Sequence, residues 1–340
     1  MMNQDDRANY NFQKIILLVA ILLFLIKFAA WYITSSVAIL TDALESITNM
    51  LAGAFTLFSL YLSAKPKDHN HPHGHGKIEF VSASVEGMLI LFAGIIIIYE
   101  GVKRLLMDDS SLSSLGSGLI LILFTAIVNY VVGYIAIKRG KKYNVLPLIA
   151  GGKHLHSDTY STVGIIVGLL LVWITGWQWL DAAIALLFGG IIIHSGIKII
   201  RESIAGIMDE ADEDLIEEFV AVANENRSDK WIDIHKVRFI KYGNHVHLDA
   251  HLTLPWYFNL REAHVELDKM TQILKQKFGS KHEMYIHTDD CRPTSCEICP
   301  IESCAHRQFK YIDKITWTAA LVAEDHRHSI KDLAEQKNPL

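Results

Sequence analysis

Six stretches of this chain are apolar for longer than a soluble fold can use: roughly Gln13–Thr34, Val37–Ser63, Ile78–Leu106, Leu119–Ile137, Val145–Thr175 and Trp179–Ile200. A helix rises about 1.5 Å per residue, so about 20 residues cross a hydrocarbon core roughly 30 Å thick. Inside lipid every backbone N–H and C=O must be paired within its own segment, which leaves helices as the solution for runs of this length. Composition agrees: 51% of the 340 residues are hydrophobic, and the mean hydropathy of +0.23 is too high for an ordinary soluble protein. From about Asp209 the sequence turns polar and stays so. The expectation is an α-helical membrane protein, with six transmembrane helices over 13–208, a soluble domain over 209–290, and a Cys-rich segment with a C-terminal tail over 291–340.

Loop charge predicts orientation. Lys65, Lys67 and Lys77 follow the second run, Lys138, Arg139, Lys141 and Lys142 the fourth, and Lys198 and Arg201 the sixth. All three groups fall on one side, and the opposite loop at 108–114 has no Lys or Arg. Positive loops stay inside, so the chain is expected in the cell (inner) membrane, multi-pass, with both termini cytoplasmic. The first run is too long for a cleaved leader and lacks a small-residue cleavage site. A net charge of -5, without clustered Arg, Lys and aromatics, excludes a nucleic-acid partner.

His154 and Asp158 lie inside the fifth run, four residues apart and so on one helical face. Ionisable groups at that depth cost roughly 2.5–3.5 kcal/mol on insertion scales, so they are functional by default. An imidazole and a carboxylate on one face are half of a tetrahedral site for zinc. The second run carries Asp42, Glu45 and Asn49 on one face. It descends from outside while the fifth ascends from the cytoplasm, which puts Glu45 about 13 Å below the outer face and Asp158 about 20 Å above the inner one. Those depths nearly coincide, and Asn49 levels with His154. The predicted site is therefore Glu45, Asn49, His154 and Asp158. Asp42 sits a turn further out and is read as a structural hydrogen bond; His156 points elsewhere. Glu86, Glu100, Asp181 and His194 are read as packing or end-capping groups.

Two further clusters suit metals. The loop after the second run packs Asp68, His69, His71, His73 and His75 into eight residues, enough for a divalent ion. All four cysteines, Cys291, Cys296, Cys299 and Cys304, lie within the cytoplasmic part. Disulfides are disfavoured there, and four thiolates at such short spacing suit a small zinc site, with an iron–sulfur cluster as the alternative. Pattern and spacing assign no role to the tail from Lys310, which carries Trp317 and His326-Arg-His328.

The loop Pro66-Lys-Asp68-x-x-His71-x-x-Gly-His75-Gly-Lys77-x-Glu79 resembles the signature of the cation diffusion facilitator family. The pairs Asp42-Ala-Leu-Glu45-Ser-x-x-Asn49 and His154-x-x-x-Asp158 resemble its transport-site layout. The resemblance, over about Gln13 to Asp290, implies a six-helix homodimer that moves zinc or related divalent ions out of the cytoplasm in exchange for protons, as in the bacterial zinc/iron–proton antiporters. This chain departs from the family in carrying Glu45 where His or Asp is usual and Asn49 where Asp is usual.

The soluble domain reads α-β-β-α-β over Asp212–Asn226, Asp233–Tyr242, His245–Leu254, Leu260–Phe278 and Lys281–His287. Val246, Leu248, Ala250, Leu252 and Leu254 alternate with a face of His245, His247, Asp249 and His251. The layout is similar to the family's ferredoxin-like (metallochaperone-like) dimerisation domain. By that resemblance His235, His251, His264, His287 and Asp289 match regulatory zinc positions, and Lys77 and Asp209 match a charge pair at the dimer interlock.

The function expected is proton-coupled divalent-cation efflux, with lipid, protons and divalent metal as partners. Zinc comes first, and iron(II), manganese(II) and cobalt(II) are the alternatives, because carboxylate and amide oxygens suit harder ions. Metal ligation needs a neutral imidazole and ionised carboxylates, so protons compete for the same atoms. A metal sensor would need no ligands at mid-membrane. A membrane metalloenzyme would need an open metal position, and no H-E-x-x-H signature is present, so the chain is not read as an enzyme.

Overall fold

The computed structural model describes residues 4–34, 37–107, 119–177, 179–243, 245–279 and 282–332. The side chains of 30, 31, 33–45, 48, 104, 107, 119–122, 165, 166, 168–170, 172, 173, 181 and 282 also lie outside the described part. The chain forms two compact units, Met1–Met208 and Asp209–Leu340.

The first unit is built from six long helices: α1 (Gln4–Thr34), α2 (Val37–Ser63), α3 (Ile78–Met107), α4 (Leu119–Tyr143), α5 (Leu146–Thr175) and α6 (Trp179–Ile207). Among the described residues, Gln4–Ala29, Ile78–Lys103 and Ala182–Ile207 are each long and apolar enough to cross a membrane. Large apolar side chains such as Leu18, Phe92, Ile96 and Leu187 face outward rather than into a core, as a lipid-facing surface requires. Inside, small residues bring helices together. A Cβ on Gly94 of α3 would lie 3.0 Å from the Ile193 backbone nitrogen of α6. Of the pair Gly189-Gly190, only Gly189 makes such an approach; Gly190 faces open space.

The second unit is a small α+β domain. Helix α7 (Glu213–Glu225) is followed by β1 (Asp233–Tyr242), β2 (His245–Leu254), α8 (Leu260–Phe278) and β3 (His282–Asp290). Asp212 caps α7 by accepting from the Leu215 N–H, and Asn259 with Glu262 forms a capping box on α8. Strands β1 and β2 pair antiparallel through a short connection, whereas β2 and β3 are joined by the α8 crossover and pair parallel. Strand β3 reaches Asp290, past the expected end at His287, and so includes Asp289.

Val246, Leu248, Ala250, Leu252 and Leu254 all face the core, as the alternation predicts. The opposite face is not uniformly open. His247 is buried, stacked on Tyr285 and 3.3 Å from Glu283. The core extends beyond the sheet: Ile298, Cys299, Ile315, Trp317, Leu321 and Val322 join Phe219, Leu248, Met270 and Leu274 in one cluster. Residues after β3 therefore complete the fold of this unit, with a short helix α9 (Ala319–Val322) inside them.

Candidate metal centres

Helix α5 is set against α4 at two glycines. A Cβ on Gly133 would lie 2.8 Å from the Gly152 carbonyl, and one on Gly152 would lie 2.7 Å from that of Gly133. Only glycine allows this approach. His156 turns toward α4, its ring stacked on Tyr130 at 4.9 Å with Nε2 at 3.2 Å from the Tyr130 carbonyl. His154 and Asp158 turn instead toward α2. There Asn49 spans them: its Nδ2 donates to Asp158 Oδ2 at 2.6 Å, and its Oδ1 lies 2.6 Å from His154 Nε2. Three of the four expected ligands are thus in contact. The side chains of Glu45 and Asp42 fall outside the described residues.

Two neighbours escaped the sequence reading. Lys27 of α1 donates to Ser46 Oγ at 3.0 Å, and both side chains are buried. Together with Asn49 and Asn129 they line a small pocket. The available signal was a lysine inside the first apolar run. Deeper in the bundle, the buried Glu86 accepts a hydrogen bond from Thr56 and abuts Gly151, one turn before His154.

In the loop between α2 and α3, Asp68, His71 and His75 offer ligand atoms within 4.8 Å of one another, while His69 and His73 are not part of that group. The His71 N–H donates to Asp68 Oδ1 at 2.7 Å, and His75 Nε2 lies 3.4 Å from Asp68 Oδ2. Desolvation works to raise the Asp68 pKa, but the His71 hydrogen bonds outweigh it and hold the carboxyl below its usual value. It is therefore ionised at neutral pH.

On the sheet, His235, His251 and Asp289 gather within 4.8 Å. His251 Nδ1 lies 2.9 Å from Asp289 Oδ2, and His287 Nε2 is 3.6 Å from Asp289 Oδ1. His264 is not drawn in: it is exposed on α8, with Nδ1 at 3.0 Å from the Leu260 carbonyl of its own helix. A bulge in β1 between His235 and Arg238 aims this set. Burial acts to raise the Asp289 pKa, yet hydrogen bonds from His251 and Arg327 keep it below the usual carboxylate value.

Residues 14–208 match the cation efflux transmembrane domain, and residues 211–291 match the cation efflux cytoplasmic domain. The chain belongs to the cation efflux, or cation diffusion facilitator, family. It is a membrane transporter of cations, not an enzyme. Among relatives, an uncharacterised transporter of Synechocystis sp. is 31% identical over 239 residues, covering 70% of this chain and 77% of the relative. The manganese efflux system protein MneP of Bacillus subtilis is 26% identical over 300 residues, covering 85% and 98% respectively. The cation-efflux pump FieF of Escherichia coli O127:H6 is 28% identical over 279 residues, covering 80% and 89%.

The family match ends at Cys291, so Cys296, Cys299 and Cys304 lie beyond it. Backbone N–H groups approach two sulfurs, Trp256 to Cys291 at 3.4 Å and Gln308 to Cys296 at 3.5 Å. Arg307 holds the loop by donating to the carbonyls of Cys296, Cys299 and Ile301 at 2.6, 2.9 and 2.8 Å. All four are free thiols. Among the described residues the ligand groups within 4.8 Å do not include a cysteine set. Burial pushes the Cys291 and Cys299 thiols up, so a metal must displace their protons to bind.

Sequence reasoning also missed Asp233, Arg327 and His328. Arg327 donates to Asp289 Oδ1 at 2.9 Å, and Asp233 Oδ2 lies 3.3 Å from His235 Nδ1. The tail thus reaches the sheet cluster, a contact no local pattern announces.

Proposed function

We propose that this cation efflux transporter is a homodimer in the cell membrane, with both termini cytoplasmic, that exports divalent metal cations in exchange for protons. Zinc is the first substrate, held by Glu45, Asn49, His154 and Asp158. The observation that carries the reading is the Asn49 amide spanning His154 and Asp158. In that arrangement the amide oxygen accepts, so His154 Nε2 carries a proton at the atom a metal would take. Were the amide reversed, the proton would have to sit on Asp158. A neutral His154 can admit metal by moving that proton to Nδ1, whereas a charged ring or a protonated Asp158 must release a proton, and in this reading that competition couples metal to protons. The Asp68/His71/His75 group, the His235/His251/Asp289 group with His287, and the four cysteines are read as regulatory or structural zinc sites.

A second reading, manganese(II), iron(II) or cobalt(II) as substrate, draws on the same residues. One imidazole among three oxygen ligands is a harder set than zinc sites commonly use, and one relative is a manganese efflux protein. Purified protein in proteoliposomes separates these readings. Flux of each ion is measured with and without a pH gradient, for wild type and Asp158→Ala. The expected result is zinc flux that follows the proton gradient and is abolished in the folded variant. Flux that ignores the gradient, or survives in Asp158→Ala, overturns the reading.

A further inference from the structure

His328 is the most buried histidine of the tail, with no side-chain exposure. Its Nδ1 lies 2.6 Å from Asp233 Oδ1, and its backbone N–H donates to Asp233 Oδ2 at 3.0 Å. Asp233 is equally buried. A carboxylate on Nδ1 fixes the ring and its tautomer and turns Nε2 toward any cation, the arrangement that commonly stands behind metal-ligating histidines. His328 Nε2 is buried and has no hydrogen-bond partner among the described residues. Leaving such an atom unsatisfied is unfavourable unless something else meets it.

That nitrogen lies beside one member of a cluster of ligand atoms. Glu324 Oε2 lies 3.8 Å from it. Glu324, His326 and Asp332 offer ligand atoms within 4.8 Å of one another. His326 Nε2 is 3.3 Å from Glu324 Oε2 and 3.4 Å from Asp332 Oδ1. Ligands bound at about 2.0–2.1 Å around a tetrahedral ion are separated by roughly 3.3–3.4 Å. The backbone holds the set in place. The Lys236 N–H, at the β1 bulge, donates to the Glu324 carbonyl at 2.8 Å. Ser329 binds the other oxygen of Asp332 through N and Oγ at 2.6 and 3.0 Å.

We propose that Glu324, His326, His328 and Asp332 form a further divalent-cation site in the C-terminal tail, sharing the Asp233 carboxylate with the His235/His251/Asp289 cluster. Two imidazoles with two carboxylates suit zinc or a similar borderline ion; magnesium and calcium prefer oxygen ligands alone. The site lies beyond the family's cytoplasmic domain, which ends at residue 291. A surface ion-pair network would explain Glu324, His326 and Asp332. It does not explain a fully buried His328 whose Nε2 lacks a hydrogen-bond partner beside Glu324.

The test uses full-length purified protein, stripped with chelator and then equilibrated with buffered zinc. Bound zinc per chain is counted by elemental mass spectrometry, and hydrogen exchange is followed in peptides spanning 324–332. His326→Ala with Asp332→Asn is the working variant, because both changes keep His328 and its contact with Asp233. Its thermal midpoint in chelator serves as the folding control, and Glu324→Gln is the substitute should the pair misfold. The expected result is the loss of about one zinc per chain, with zinc slowing exchange at 324–332 in wild type but not in the variant. Equal zinc content in the two proteins, or exchange at 324–332 that ignores zinc in wild type, overturns the proposal.

Discussion

Asn49 on α2 donates its side-chain amide to Asp158 on α5 at 2.6 Å, across 109 residues of sequence. An aspartate in the place of Asn49 would set two carboxylates that close together. Such a pair binds a proton tightly, because both cannot ionise at once. Asn49→Asp should therefore move the flux optimum to higher pH, where the pair can release its proton to admit metal. It should also favour zinc more strongly over iron and manganese. Flux against pH with each ion in turn checks this; three unchanged profiles would remove Asn49 from the ion's reach.

The cysteine loop should hold metal. Full-length protein purified without chelator is expected to keep zinc there. Cys296→Ser with Cys299→Ser should lose about one metal equivalent and melt about 5 °C lower or more. Visible absorbance in anaerobically prepared protein would instead indicate an iron–sulfur cluster. Identical metal content and melting in both proteins would dismiss the site.

Arg227 clamps the residues after β3 to the sheet domain. Its guanidinium lies 3.7 Å over the Trp317 ring and donates to the carbonyls of Ile232 at 3.0 Å, Trp231 at 3.4 Å and Ile315. Burial lowers its pKa to about 10, which leaves it charged at neutral pH. Lysine cannot reproduce a planar fork that also stacks. Arg227→Lys should cost about 2–3 kcal/mol and speed limited proteolysis between Lys310 and Trp317. Unchanged cleavage there would show that the clamp is dispensable.

Acid should weaken the cytoplasmic domain through its depressed carboxylates, Asp212 and Glu266 among them. Desolvation tends to raise Asp212 and Glu266, but Lys241 and the α7 N-terminus outweigh it for the first, and Lys269 and Lys230 for the second. Both folded-state pKa values are depressed. Their stabilisation is therefore present above the unfolded values of about 3.9 and 4.3 and is lost as pH falls through the lower folded ones. Thermal midpoints of chelator-stripped protein should hold from pH 7 to about 5 and drop below about pH 4. Glu266→Gln should melt lower at pH 7 and lose less on acidification. An equal acid loss in both proteins would place the sensitivity elsewhere.

Much of this was legible in the sequence because the relevant forces are local and periodic. Lipid demands unbroken apolar helices, so the stretches at 13–208 announce themselves by length. The rise per residue is constant, so counting from helix ends levels Asn49 with His154 before any coordinates exist. Alternation along β2 places Leu248 and Leu252 in the core for the same reason. The family loop at Asp68, His71 and His75 is compact enough for its ligands to meet within a few residues.

Tertiary structure alone decided the rest. Nothing local says that Asn49 bridges both partners through its two amide atoms, since that depends on the rotation of α5 set by Gly133 against Gly152. Nor does pattern say that the His264 ring meets the Leu260 carbonyl of its own helix. The tail gave no period to read: its contacts, such as His328 with Asp233 across 95 residues and Arg227 with Ile315 across 88, are single meetings between irregular backbone and distant residues. Hydrophobic patterning records which face of a regular element is buried. It carries no record of which distant side chain fills the space, and here that is what placed Arg327 and His328 beside the His235/Asp289 face of the sheet.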